Sequence, residues 1–178
     1  VIMIRDARLP EESTAIAALD TGFSTDTIYR VGVAEAGFTL TEERVDPPVV
    51  KRYQVDDLDD PVRDLARVAV DGDELCGFVS AEYQEWNRRL VVWDLYVNAS
   101  HRGRGLARSL VRDALAYGRE RGAVTAWLET SNRNVPAIRA YRRMGFALCG
   151  LDTTLYLGTE SAGEVAVFLA MPLDVDRA

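Results

Sequence analysis

The chain has 178 residues, with 21 Lys+Arg, 28 Asp+Glu, one His, a net charge of −7 and a pI near 4.8. Hydrophobic residues at 48% and charged residues at 28% fit one soluble globular domain over 1–178 and exclude disorder, collagen and disulfide scaffolds. No apolar run approaches the roughly 18 residues of a membrane span, and the opening VIMIRDARLPEES is charged too early for a signal peptide, so the cytoplasm is the expected location and Met3 the candidate native start.

In chain order, IMIRDA reads as a short strand, and a helix is predicted from about Pro10 to Asp20, with proline in its first turn. Strand-like pieces follow at Thr27–Val33 and Gly37–Glu42, and Asp46-Pro47-Pro48 is expected to break whatever precedes it. Asp56-Asp57-Leu58-Asp59-Asp60 is an acidic loop, either solvated surface or a lure for a polycation. Arg67–Val70 and Leu75–Tyr83 flank Asp71-Gly72-Asp73-Glu74, a hairpin signal because glycine supplies φ > 0.

Leu90–Val97 (LVVWDLYV) is a near-continuous apolar strand carrying one acid, Asp94. After the loop Asn98–Gly105 a helix is predicted over Leu106–Arg121, with Leu106, Leu110, Ala114 and Tyr117 on one face and Gly122 as its stop. Ala123–Glu129 is the next strand. Asn134 can cap a helix that runs to about Met144, with Pro136 in its first turn and Gly145 at its end. Leu151–Tyr156 and Glu164–Met171 read as a last hairpin. This order of elements makes a mixed α/β domain.

The charge is unevenly distributed. Ten arginines and three acids lie between His101 and Gly145, a local +7 that leaves −14 for the rest of the chain. The overall −7 argues against nucleic acid as a partner, and the bipolar pattern suits an anion held by one part and a cation drawn to the other. Taken singly, the same arginines also fit solvated helix faces.

The strongest chemical signal is Arg102-Gly103-Arg104-Gly105-Leu106-Ala107, between a strand and a helix. Two glycines let the backbone turn its N–H groups toward one point. The new helix adds its unsatisfied N–H groups and the positive end of its dipole, which together make an anion cradle. Arg102 and Arg104 can add charge-assisted contacts, and pyrophosphate is the natural ligand. The dinucleotide fingerprint G-x-G-x-x-G fails at Arg108, and no Walker-type G-x-x-x-x-G-K-[ST] occurs. The plain alternative is a glycine turn entering a helix. Asn134, Ile138 and Tyr141 form a second constellation on one helix face.

Metal and hydrolase chemistry finds little support. His101 is the only histidine and reads as a loop residue before the cradle; Cys76 and Cys149 read as free core thiols. No metal is expected. Tyr83, Trp86, Trp93 and Tyr156 are candidate pocket walls, with core packing the default for Trp93.

The run LYVNASHRGRGLARSLV resembles the acyl-CoA-binding motif of the GNAT N-acetyltransferases, [Q/R]-x-x-G-x-[G/A], matched by Arg102, Gly105 and Ala107. ETSNRNVPAIRAYRRMGF resembles the next motif of that family: an Asn, a short helix, a Tyr and then Gly-Phe. FSTDTIYRV, DPPVVKRY, EWNRRLVVWDLYV and GFALCGLDTTLY extend the likeness to the streptothricin acetyltransferases. Those enzymes usually carry two acids in the strand before the loop, where this chain has Trp93-Asp94.

The resemblance implies a GNAT acyl-CoA N-acyltransferase fold: a central, mostly antiparallel sheet with splayed strands, flanked by helices. It implies direct acetyl transfer from acetyl-CoA to a primary amine of a cationic small molecule, with the β-lysyl amine of streptothricin first. Another amine (a polyamine, an aminoglycoside or a protein N-terminus) or a non-catalytic acyl-CoA-binding module is the alternative. A homodimer is left open. Backbone groups of Leu95, Tyr96 and Val97 would pair with pantetheine, which enters between Leu90–Val97 and Ala123–Glu129. The loop Arg102, Gly103, Arg104, Gly105, Leu106, Ala107 would take the pyrophosphate, with Asn134 and Ala137 beside the arm. Tyr141 would stand by the sulfur and protonate the departing thiolate.

A lysine-type ammonium with a pKa near 10.4 is only about one part in 2,500 neutral at pH 7, so a base or a desolvating site must help. Asp94 is the first candidate to bind the ammonium or relay its proton. Glu129 and Glu82 are the reserves, and Glu129 can equally be a structural acceptor. Tyr83, Trp86 and Tyr156 complete the expected substrate set.

Overall fold

The computed structural model describes residues 1–55, 58, 60 and 62–173. Its elements are β1 (Ile2–Asp6), α1 (Ser13–Ala17), β2 (Phe23–Ala34), β3 (Gly37–Lys51), β4 (Leu65–Asp71), β5 (Glu74–Gln84), β6 (Arg89–Val97), α2 (Leu106–Glu120), β7 (Thr125–Ser131), α3 (Val135–Met144), β8 (Ala147–Asp152) and β9 (Ala166–Pro172). Of the acidic loop, only Leu58 and Asp60 fall within the described residues; the reading of it as solvated surface lies otherwise outside them. No helix among the described residues is long and apolar enough to cross a membrane.

The chain divides into two compact units, the first built from Val1–Thr21, Arg52–Trp127 and the stretch from Pro172, the second from Gly22–Lys51 and Leu128–Met171.

In the first unit the strands lie in the order β1-β4-β5-β6-β7. Neighbours are antiparallel except β6 and the start of β7, which pair in parallel over Arg89–Val91 and Thr125–Trp127. The β4–β5 hairpin closes at Asp71↔Glu74 around Gly72-Asp73, as its turn chemistry predicts. Ile16, Leu19, Leu58, Val68, Val70 and Phe78 form a buried cluster. Helix α2 buries Leu106, Leu110, Val111, Ala114, Leu115 and Tyr117. Gly118 lets it approach β6 closely, since a Cβ there would stand 3.0 Å from a Leu90 methyl.

Helix α1 is much shorter than the predicted Pro10–Asp20. Glu12 is drawn back to Arg5 and Arg8, at 2.6 and 2.8 Å, and these pairs hold the preceding residues in turns. At the other end the Asp20 N–H donates to Asn98 Oδ1 at 2.9 Å, which fixes the exit of the chain. Tertiary anchors here override a weak local propensity.

In the second unit β2 and β3 form a long antiparallel ribbon, and the end of β7 is followed in strand order by β9 and β8. The proline pair does not end β3. Register passes from Thr27↔Arg44 to Thr25↔Val49, so Val45, Asp46, Pro47 and Pro48 lie in an irregularity where no ladder N–H is asked of proline. The predicted strand Leu151–Tyr156 is displaced to β8, because Asp152 Oδ1 accepts from the N–H groups of Thr154 (2.7 Å) and Leu155 (3.1 Å) and turns the chain out of the sheet. Cys149, expected in the core, is exposed on β8, whereas Cys76 is buried.

Candidate active site

The loop between β6 and α2 is shaped from below. Asn98 Nδ2 donates to the Leu75 carbonyl at 3.3 Å, and a short 3₁₀ turn, Ala99–His101, follows. His101 lies in this connection, as expected, and is buried there: Nδ1 lies 2.9 Å from Ser100 Oγ and Nε2 3.5 Å from Asp71. Gly103 and Gly105 follow with φ of +76° and +81°, a region that L side chains avoid, and a Cβ at either would meet nothing within 4 Å. Gly105 is the N-cap of α2, and no side chain caps that helix. The turn 102–107 thus leads into a helix N-terminus with open space at both glycines.

Arg102 also builds the loop. Its Nε donates to the Val97 carbonyl at 2.9 Å and one terminal nitrogen to the Asp20 carbonyl at 2.6 Å. Arg104 is exposed at the turn; Leu106 is buried and Ala107 half-buried in the first helical turn.

On β6 the ladder to β5 slips between Ala81↔Val92 and Ser80↔Asp94, which leaves Trp93 as a bulged residue. The bulge explains why Trp93 is 47% exposed, against the expectation of core packing. Its indole N–H donates to Glu82 at 3.1 Å. Glu82 also accepts from Gln84 Nε2 at 3.3 Å.

Asp94 is buried and already well supplied with donors. Ser80 Oγ donates to Oδ2, Arg63 Nε lies 2.8 Å from the same oxygen, and the Tyr96 hydroxyl lies 3.4 Å from Oδ1. Leu95 and Tyr96 are half-buried beyond it, paired with Val79 and Phe78. The Tyr83 N–H donates to Asp64 at 3.1 Å, and Trp86 is 85% exposed on a 3₁₀ turn.

The second unit carries the other predicted residues. Asn134 caps α3, its Oδ1 accepting from the Ala137 N–H at 3.2 Å. Ile138 is buried, and Tyr141 is half-buried with its ring edge-to-face on Phe146 at 5.9 Å. On β7 Glu129 accepts a hydrogen bond from the Tyr156 hydroxyl. Glu129 still touches solvent, yet desolvation by the surrounding protein pushes its carboxyl above the ordinary range.

Within each unit the structure thus joins Asp94 to Tyr96, Glu82 to Trp93, Asn134 to Ala137, and Glu129 to Tyr156, and it leaves Trp86 apart from them. Sequence reading missed Arg63 and Ser80, the partners of Asp94, which lie 31 and 14 residues away. It also missed Lys51, which pairs with the buried Glu164 at 2.8 Å while Ser131 donates to the same carboxylate. No local spacing announces either cluster. Among the described residues no group of three or more His, Cys, Asp or Glu side chains could hold a metal ion.

The sequence model of the acetyltransferase (GNAT) family matches residues 33–146. The chain is 46% identical to a streptothricin acetyltransferase of Streptomyces lavendulae, over 94% of this chain and 93% of that protein. Its fold matches a crystal structure of nourseothricin acetyltransferase with a TM-score of 0.89 and 49% identity, over 97% of this chain and 99% of the other. A Bacillus anthracis protein crystallised in complex with acetyl coenzyme A shares the fold, with a TM-score of 0.81 and 22% identity over 98% of both chains. A family match across well over half of the sequence, a relative that spans nearly all of it, and a mostly antiparallel sheet with a glycine turn before α2 agree: this chain belongs to the GNAT family of acetyltransferases.

Proposed function

We propose that this protein, acting as a single domain, transfers the acetyl group of acetyl-CoA to a primary amine of streptothricin or a closely related cationic antibiotic. The observation that carries this reading is the cradle itself. Two glycines in the left-handed region, with open space where a Cβ would stand, lead into a helix N-terminus without a side-chain N-cap hydrogen bond, an arrangement suited to a phosphate. The 46% identity to a streptothricin acetyltransferase supports the choice of acceptor.

In this reading the turn 102–107 binds the pyrophosphate, with Arg104 supplying charge and Arg102 bracing the loop. Backbone groups of Leu95, Tyr96 and Val97 orient the pantetheine arm, and an N–H of the Tyr96–Val97 region faces the charge that develops on the acetyl oxygen. Asn134 and Ala137 lie along the arm. Acetyl-CoA supplies the thioester, and Tyr141 gives a proton to the departing thiolate.

The acid that takes the amine proton is Glu129 rather than Asp94. Asp94 already has a guanidinium and a hydroxyl on one oxygen, whereas Glu129 reaches solvent, accepts from the Tyr156 hydroxyl, and has its proton affinity raised by desolvation, a shift in the direction that helps a general base. Tyr156 borders the acceptor beside Glu129. The −14 balance outside residues 101–145 favours a cationic acceptor.

The test is thiol release from acetyl-CoA across a panel of streptothricin, an aminoglycoside, a polyamine and an N-terminal peptide. Release that depends on streptothricin is expected. Binding of acetyl-CoA with no amine-dependent release would instead favour a non-catalytic acyl-CoA module.

A further inference from the structure

Glu129 and Tyr156 are 27 residues apart in sequence, yet the Tyr156 phenol donates to Glu129 Oε1. The tyrosine sits in the turn segment after β8, and its backbone is fixed on both sides. Upstream, Asp152 Oδ1 holds the Thr154 N–H at 2.7 Å and the Leu155 N–H at 3.1 Å. Downstream, the Tyr156 carbonyl accepts from the Thr159 N–H at 3.0 Å and the Thr159 hydroxyl at 2.9 Å. A phenol delivered by so constrained a turn occupies one carboxylate oxygen in a set direction.

We propose that Tyr156 is a positioning residue for acetyl transfer: its hydroxyl fixes Glu129 Oε1 so that Oε2 faces the acceptor amine. This rests on Glu129 being the base of the reaction. A donor on the carboxylate also favours the ionised form, opposing the desolvation that raises its proton affinity. Among the described residues, the charged group that acts on Glu129 from outside its own strand is Lys51, which also favours ionisation and is itself paired with Glu164. Removal of the phenol leaves Lys51 in place, so the carboxyl should titrate at higher pH than in the parent.

The experiment is the pH profile of kcat/KM with streptothricin for the parent, Tyr156→Phe and Glu129→Gln. The substrate amine, with an ordinary pKa near 10.4, titrates well above a carboxylate limb and does not mask it. Tyr156→Phe should move the acid limb to higher pH and lower kcat/KM about tenfold below the limb, as expected for loss of a hydrogen bond to a charged group. KM for acetyl-CoA should be unchanged. A second variant, with 3-fluorotyrosine at position 156, makes the phenol a stronger donor and should move the limb to lower pH; it keeps the question answerable should Tyr156→Phe fail to fold. An acid limb that stays at the parent position in these variants overturns the proposal, even if thermal stability falls, because a purely structural tyrosine does only that. Glu129→Gln separates the two claims. If it retains both the limb and full activity, Glu129 is not the base. If it loses both while the position-156 variants leave the limb unmoved, Glu129 stands and the role of Tyr156 does not.

Discussion

Arg63 Nε lies 2.8 Å from Asp94 Oδ2, and the two side chains are only 14% and 9% exposed. The carboxylate that sequence reading placed first for the acceptor ammonium therefore already holds a cation of the chain itself. Ser80 completes that oxygen, and the Tyr96 hydroxyl approaches the other. The pair ties the segment before β4 to the bulge of β6, next to the backbone proposed to orient pantetheine.

Arg63→Ala should leave a largely buried carboxylate without its counter-ion and cost about 3 kcal/mol of stability, read from urea unfolding. Asp94→Asn should cost less, because its amide still accepts from Ser80. A double-mutant cycle should return a coupling energy above about 1 kcal/mol. Additive single effects would mean that the two groups do not act as a pair.

At the cradle, Gly105→Glu combines a strained backbone, at φ of +81°, with a negative charge where the pyrophosphate is proposed to sit. Acetyl-CoA binding by calorimetry should be lost while the fold persists. Gly105→Ala carries the backbone cost alone, about 1 kcal/mol, and should weaken binding far less. Unchanged affinity in Gly105→Glu would remove the phosphate from this loop.

Elements whose signals are local were legible in the sequence. Helix α2 begins at Gly105 and α3 at Asn134, where a glycine turn and an Asx cap announce themselves, and the β4–β5 hairpin follows from Gly72. What depends on distant partners was not legible. Pro47 and Pro48 looked like a strand end, and only the pairing with β2 shows the irregularity that accommodates them. Trp93 looked like core until the slip opposite Ser80 and Ala81 turned it outward, and Cys149 lies on a strand whose first four residues are exposed. The site divides the same way. The glycine turn before α2 and the α3 cap were readable from spacing, but the contacts that separate Asp94 from Glu129 come from Arg63 and Tyr156, which no motif connects to them.

Tyr141 tests the acid half of the mechanism. Tyr141→Phe keeps the edge-to-face packing on Phe146 and removes only the hydroxyl, so the fold should survive. General acid catalysis is worth about 10²–10⁴-fold, and kcat should fall near the lower end of that range, because water can replace the donor in part. Near-parent turnover in a folded variant, measured where chemistry limits the rate, would rule out the proton-donor role.

Acetyl transfer to an amine of streptothricin is tested most directly by its product. Incubation of the protein with acetyl-CoA and streptothricin, followed by tandem mass spectrometry and NMR of the recovered antibiotic, should show one added acetyl group, on nitrogen, in the β-lysine moiety. Streptothricin should also give the highest kcat/KM of the amine panel. Recovery of unmodified streptothricin, while acetyl-CoA is bound or is consumed by a different amine, would contradict the account.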